Sequence, residues 1–76
     1  MEGDERYSEQ PDRVARVTRV TTIAEEALGD ASKARRWLRK PNRALRGERP
    51  LDLLDSDAGA RVVEQVLGRI EYGLGA

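Results

Sequence analysis

Hydrophobic residues recur at three- and four-residue steps in two separate stretches of the chain. Such spacing places side chains on one face of a helix and predicts a helix with one buried side. The first stretch predicts a helix that follows Pro11 and ends at Gly29, a residue typical of helix C-termini. Its inward positions are Val14, Val17, Val20 or Thr21, Ala24, and Ala27 or Leu28.

The second stretch predicts a long amphipathic helix near the C-terminus. Val62, Val66 and Ile70 lie four residues apart, and Val63 and Leu67 widen the apolar stripe. Helices commonly begin at a capping Ser or Asp, which here means Asp55 or Ser56, and Gly73 is placed to end the helix.

Helix-breaking residues divide the segment between these two helices. Asp30 predicts the N-cap of a helix from Ala31 to Leu38 or Arg39, because Pro41 disfavours helical geometry at Lys40. Asn42 then caps a short turn that contains Ala44 and Leu45, and Gly47 adopts a backbone angle closed to other residues. Pro50 opens another short helix, which buries Leu51, Leu53 or Leu54. The pattern therefore predicts an all-α fold, a small compact bundle of about four to five short helices with a long amphipathic C-terminal helix.

Length and composition limit the chain to one small domain. Its 76 residues bury only about 60% of the surface that the unfolded chain exposes. Residues 1–9 are charged and poor in hydrophobic residues, which predicts a flexible acidic leader ahead of a single helical domain over residues 10–76. With no Phe and one Trp, the core must be aliphatic, and Trp37 is expected to anchor it.

The side chains that enzymes most often use are missing or isolated. The sequence has no Cys and no His, so its serines have no imidazole to activate them. Asp52, Asp55 and Asp57 resemble a carboxylate cluster, but capping explains them better than metal binding, because the glycine and glutamate of a calcium loop are absent. We expect no catalytic residue, no metal site and no cofactor.

A formal net charge of zero conceals a strong asymmetry along the chain. Residues 33–49 carry eight basic residues against one Glu, whereas residues 1–32 and 50–76 have net charges of −4 and −3. The basic segment favours one of two interpretations: a surface that contacts nucleic acid or an acidic partner, or a solvated face partly neutralised by the acids of the chain itself. Arg13, Arg16 and Arg19 are expected to be solvated.

One stretch of sequence resembles a known family. It reads W-L-R-K-P-N-R-A-L-R-G-E-R-P-L-D-L-L and is followed about a dozen residues later by V-L-G-R-I-E-Y-G. This is similar to the antitoxin Xre/MbcA/ParS-like toxin-binding domain over residues 22–74. The matching positions are Trp37, Leu38, Pro41, Asn42, Leu45, Gly47, Pro50, Leu53, Leu54, Gly59, Tyr72 and Gly73.

The resemblance implies a small helical domain that neutralises a RES-domain toxin encoded beside it, in a type II toxin–antitoxin system of the bacterial cytoplasm. Such toxins consume NAD, and the antitoxin covers the active site with its C-terminal helix and tail. Carried onto this chain, the contact residues are Arg69, Ile70, Glu71, Tyr72, Gly73 and Leu74.

Other partners follow from the same comparison. Many relatives carry a helix-turn-helix region ahead of this domain, and this sequence has no length for one, so operator binding is not expected. A homodimer suits the marginal core. No window is apolar enough for a membrane span, so no membrane partner is expected.

Overall fold

The computed structural model describes the backbone of residues 2–73 and the side chains of residues 12–73. Within this range the chain is helical and forms no strand, which confirms the all-α prediction. The elements are α1 (Glu2–Leu28), α2 (Ala31–Arg39), the 3₁₀ helices η1 (Arg43–Leu45) and η2 (Pro50–Asp55), α3 (Asp57–Gly68), and a π-helical turn (Arg69–Gly73) that continues α3.

The first helix begins at Glu2, earlier than the start near Pro11 that the sequence pattern predicted. A helical backbone does not measure how freely a segment moves. The flexibility of residues 1–9, and the domain boundary at residue 10, therefore stay predictions.

Three predicted caps are confirmed by their hydrogen bonds. The side chain of Asp30 accepts from the backbone N–H of Lys33 at 2.8 Å, and that of Asn42 accepts from the N–H of Ala44 at 2.9 Å. Ser56 is the cap of α3, because its Oγ accepts from the N–H of Gly59 at 3.0 Å. Each side chain satisfies one of the backbone donors that a helix N-terminus leaves unpaired.

The loop between α2 and η2 closes on itself. The N–H groups of Asn42 and Gly47 donate to the carbonyl oxygens of Glu48 and Asn42, at 3.0 and 2.8 Å. Gly47 has a φ of +82°, which confirms that it adopts a left-handed conformation. Arg46 also lies in this region, with a φ of +60°, and the sequence gave no indication of it.

The core is aliphatic and lies between α1, α2, η2 and α3. Its buried hydrophobic residues are Val20, Ala24, Ala34, Leu38, Leu45, Leu54, Ala60, Val63, Val66 and Leu67. Two predicted core positions are wrong, since Val14 is 61% exposed and Val62 is 44% exposed. The buried face of α3 is centred on Val63 and Leu67, which leaves Val62 at its edge.

Arginines of α1 bind the η2–α3 segment. Arg16, whose side chain is 13% exposed, donates to the carbonyl oxygens of Leu54 and Asp55 at 2.8 and 2.9 Å and pairs with Asp57 at 3.1 Å. Arg13 pairs with Asp55 at 2.5 Å. The expectation that these arginines are simply solvated is therefore wrong.

The same contacts correct the interpretation of the aspartates. Asp55 and Asp57 pair with arginines of α1, and Asp52 pairs with Arg49 at 2.6 Å, so ion pairing rather than capping is their main contact. On α3, Glu64 pairs in the same way with Arg19 at 2.8 Å. Long-range ion pairs thus reinforce the apolar contact between α1 and the C-terminal half of the domain.

Trp37 lies at the edge of the core. It is half-buried and packs against the buried cluster, so the expected anchoring role is met only in part. The rest of its surface lines a depression on the outer side of α2. Across the described part of the chain, no helix has the length and apolar character needed to cross a bilayer.

Candidate partner-binding site

The predicted contact residues form the π-helical turn at the end of α3, called here the C-terminal turn (Arg69–Gly73). The N–H of Arg69 reaches the carbonyl oxygens of both Gln65 and Val66, where the α-helical pattern ends. The π-helical pattern widens the turn. Such turns are rare in proteins overall, but those that occur often lie at functional sites. The structure therefore brings five of the six predicted residues together, and the sixth, Leu74, lies outside the described residues.

Four of the five residues in this turn face solvent. Arg69, Glu71, Tyr72 and Gly73 are exposed, whereas Ile70 is partly buried and packs against the core. Ile70 therefore fixes the turn to the domain, and the other four residues are free to meet a partner.

Tyr72 is the clearest feature of this surface. Its exposure of 78% exceeds that of the other exposed large hydrophobic residues in the described range, Val14 and Val62. An aromatic ring with a polar hydroxyl is a common anchor at protein interfaces, because it buries a large area and still offers a hydrogen bond. An exposed Tyr at the end of a helix is thus suited to a partner's pocket.

A shallow depression lies beside the Tyr72 ring. It is lined by Gln65, Gly68, Arg69, Tyr72 and Gly73. A Cβ built on Gly68 would meet nothing within 4 Å, so this glycine keeps the floor of the depression low without making a close contact inside the chain. A partner side chain can approach the helix backbone at this point.

The turn carries one charge of each sign. Neither Arg69 nor Glu71 forms an ion pair with another described residue. Exposed charges of this kind can select and orient a partner at little cost in desolvation.

The motif residues of the middle segment build the support for α3. Gly59 lies where η2 meets α3, and a Cβ at this position would overlap the carbonyl oxygen of Leu53 and lie 2.9 Å from its carbonyl carbon. Pro50 and Leu54 of η2 are fully buried beneath this contact. In the structure these three positions contribute to packing between η2 and α3.

A third depression, separate from those beside Trp37 and Tyr72, also has no counterpart in the predictions from the sequence. It lies between the Asn42–Glu48 loop and α3 and has a volume of about 440 Å³; its lining is largely apolar, from Ala44, Leu45, Leu53, Gly59 and Val62, with Arg46 and Glu48 at its rim. The sequence pattern assigned Val62 to the core. The hydrophobic pattern gave no indication that Val62 is partly exposed and lines this depression.

Comparisons with known proteins bear on this arrangement. The family model described as "Antitoxin Xre/MbcA/ParS C-terminal toxin-binding domain" matches residues 24–73, which run from the end of α1 through the C-terminal turn. No solved structure matches the chain.

Three curated relatives are each named "Antitoxin Xre". The protein from Pseudomonas putida is 37% identical over 67 residues, covering 88% of this chain and 42% of the relative. The protein from Photorhabdus laumondii is 37% identical over 68 residues, covering 88% of this chain and 46% of the relative. The protein from Yersinia enterocolitica is 36% identical over 67 residues, covering 87% of this chain and 45% of the relative.

The fold and the exposed turn define a small all-α domain that presents the end of its last helix. The chain belongs to the antitoxin Xre/MbcA/ParS C-terminal toxin-binding domain family. It spans less than half the length of the curated relatives that it matches.

Proposed function

We propose that this chain is the toxin-binding part of a type II antitoxin and neutralises a RES-domain toxin that consumes NAD. Family membership and the names of the relatives support an antitoxin role and give no indication of catalysis. The observation that carries the contact site is the 78% exposure of Tyr72 in a turn braced on the core. NAD is a cytoplasmic substrate, so the proposed place of action is the cytoplasm.

In this proposal the domain acts as a rigid holder for the C-terminal turn. Val63 and Leu67 of α3 are fully buried, and Arg16 of α1 donates a hydrogen bond to Asp57 at the start of the same helix. A contact surface that is held in place before binding loses less conformational entropy when the partner arrives. The turn can then enter a cleft without first having to fold.

Charge supplies the second part of the proposed mechanism. A cleft that accepts a dinucleotide with two phosphates is expected to hold basic groups. Glu71 is exposed and unpaired among the described residues, so its carboxylate can accept charge-assisted hydrogen bonds from those groups in place of a phosphate. Occupation of the cleft by Tyr72 and Glu71 would exclude NAD.

The proposal predicts that a RES-domain protein is encoded beside this chain, and the test uses that protein. The two proteins are co-expressed with a tag on the toxin alone, and NAD consumption by the purified toxin is measured with increasing amounts of this chain. The expected result is co-purification and loss of activity at a stoichiometric ratio. A toxin that stays fully active in excess of the chain would overturn the proposal.

Two glutamate variants separate the charge step from binding in general. Glu71→Gln should weaken inhibition, whereas Glu26→Gln, which removes an exposed carboxylate from α1, should leave it unchanged. Equal inhibition by both variants would remove Glu71 from the mechanism but leave toxin binding intact.

Self-association stays a prediction, to be checked by the mass of the free chain in solution.

A further inference from the structure

Seven basic residues on α2 and the loop after it remain unneutralised. All are exposed, and none forms an ion pair or a side-chain hydrogen bond with another described residue: Lys33, Arg35, Arg36, Arg39, Lys40, Arg43 and Arg46. In the same basic segment, Arg49 is paired with Asp52. Elsewhere in the described range, Asp55, Asp57 and Glu64 pair with arginines of α1. Among the described residues, the neutralisation that one interpretation of the sequence predicted is therefore limited to Arg49.

Three of these cations form a row beside the only tryptophan. Lys33, Arg36 and Lys40 line one depression together with Trp37 and Leu28. Lys33 and Arg36 lie on one side of α2, about 4.5 Å apart along the helix axis. Lys40 is the extended residue that follows the helix. The depression thus combines an aromatic wall with a row of positive charges, and we call it the basic α2 face (Lys33, Arg36, Trp37 and Lys40).

We propose that the basic α2 face binds single-stranded nucleic acid. The row of cations would contact successive backbone phosphates, and a base would lie against the accessible part of the Trp37 ring. This pairing of a positive groove with an aromatic stacking surface is how proteins bind single strands without sequence preference. The bases of a duplex are stacked on one another and cannot reach the ring.

An acidic protein surface satisfies fewer of these observations. Carboxylates would neutralise Lys33, Arg36 and Lys40, but they have no use for an aromatic wall in the same depression. The face is also separate from the proposed toxin contact. α2 packs on α1 and η2, whereas the C-terminal turn packs on α1 and α3, so the two surfaces are built on different elements.

The chain carries its own probe for this proposal, because Trp37 is its single tryptophan. The intact protein is titrated with an oligothymidylate of about twenty nucleotides at several salt concentrations, and Trp37 fluorescence is followed. The expected result is quenching, with an affinity that falls as salt rises. Contacts to three phosphates of a single strand predict a slope of about −2 in log K against log salt.

Single-charge variants locate the contact. Arg36→Gln should weaken binding several-fold and reduce the slope by about 0.7, since one phosphate contact is lost. Arg61→Gln removes an exposed arginine from α3 and should change neither quantity. Both substitutions are on exposed helix positions, and circular dichroism verifies that both variants fold.

Three results would overturn the proposal. One is the absence of both quenching and salt-dependent binding by the single strand. Another is binding of a duplex of equal length as tightly as the single strand, because the ring then has no role. The third is equal or tighter binding of poly-glutamate, which would assign the face to an acidic protein partner.

Discussion

The carbonyl oxygen of Leu53 occupies the space that a side chain on Gly59 would need. Any Cβ at position 59 would overlap this oxygen and lie 2.9 Å from the carbonyl carbon. The last turn of η2 therefore lies directly against the first turn of α3, at the point where Ser56 caps that helix. The absence of a side chain at Gly59 allows the two elements to meet.

Gly59→Ala should destabilise the domain, although alanine is the better helix former. The extra methyl forces η2 away from α3, and overpacking of this kind costs about 1–3 kcal/mol. The measurement is urea unfolding followed by circular dichroism.

Gly68→Ala is the matched control on the same helix. A Cβ at Gly68 meets nothing within 4 Å, so the substitution should be neutral or stabilising by up to about 1 kcal/mol. If both variants unfold at the same urea concentration, the packing of η2 on α3 described here is wrong.

Arg16→Met should destabilise the folded domain, because it removes two hydrogen bonds to backbone carbonyl oxygens and leaves those oxygens without this donor. The side chain is only 13% exposed, and hydrogen bonds to a charged group contribute about 1.5–3 kcal/mol. We expect a loss of about 2 kcal/mol in the free energy of unfolding.

Arg13→Met tests whether burial decides this effect. Arg13 is 44% exposed and, among the described residues, pairs with the exposed Asp55 alone, so its loss should cost less than about 1 kcal/mol. Equal losses for Arg13→Met and Arg16→Met in thermal or urea unfolding would show that the carbonyl contacts of Arg16 contribute nothing.

Arg46→Gly should stabilise the protein, in contrast to most glycine substitutions. Arg46 has a φ of +60°, where a Cβ is unfavourable and glycine is not. The expected gain is up to about 1 kcal/mol, because the entropy that glycine adds to the unfolded chain offsets part of it.

Arg43→Gly makes the same chemical change three residues earlier, within η1 and at a right-handed backbone. It should destabilise by about 1 kcal/mol. The two melting temperatures should therefore move in opposite directions, and a shift in the same direction for both would contradict the geometry of this loop.

Asp52 gives the domain a small dependence on acid pH. The hydrogen bond from the Arg49 side chain lowers the pKa of Asp52 below its ordinary value of 3.8, and the positive charges of Arg49 and Arg13 act in the same direction. A carboxyl with a lower pKa in the folded state contributes stability above its unfolded pKa and loses that contribution as the pH falls through its folded pKa.

Asp52→Asn should therefore lose less stability than the unmodified chain when the pH falls from about 5 to about 3. Asp12→Asn, at an exposed carboxylate without a described partner, serves as the control. Urea midpoints at the two pH values measure the difference. A steeper acid loss in Asp52→Asn than in the unmodified chain would contradict the direction of the pKa shift.

Local features of the fold could be predicted from the sequence because their causes are local. Asp30, Asn42 and Ser56 cap helices through hydrogen bonds to N–H groups two or three residues away, and Pro41 acts on its immediate neighbour. Features that depend on distant residues could not be predicted from the sequence. Arg16 and its partners on η2 and α3 are 38–41 residues apart, and no periodicity reveals which arginine reaches which carbonyl.

The hydrophobic pattern fails at two positions because burial also depends on distant residues. Val14 and Val62 fit a helical stripe, but the position of each residue relative to the other helices decides whether it is buried. The contact role of the C-terminal turn rests on the family resemblance, and its π-helical form has no signal in the sequence. The exposure of Tyr72 likewise became evident only from the packing of α3.

The most direct test of the proposed toxin contact is a calorimetric titration of the RES-domain toxin with the unmodified chain, Tyr72→Ala and Val14→Ala. Val14 is the matched control, since it is another exposed large hydrophobic residue, 61% exposed on α1. An interface anchor contributes about 2 kcal/mol or more, so Tyr72→Ala should raise Kd by roughly 30-fold or more. Val14→Ala should leave Kd unchanged. An unchanged Kd for Tyr72→Ala would contradict the account.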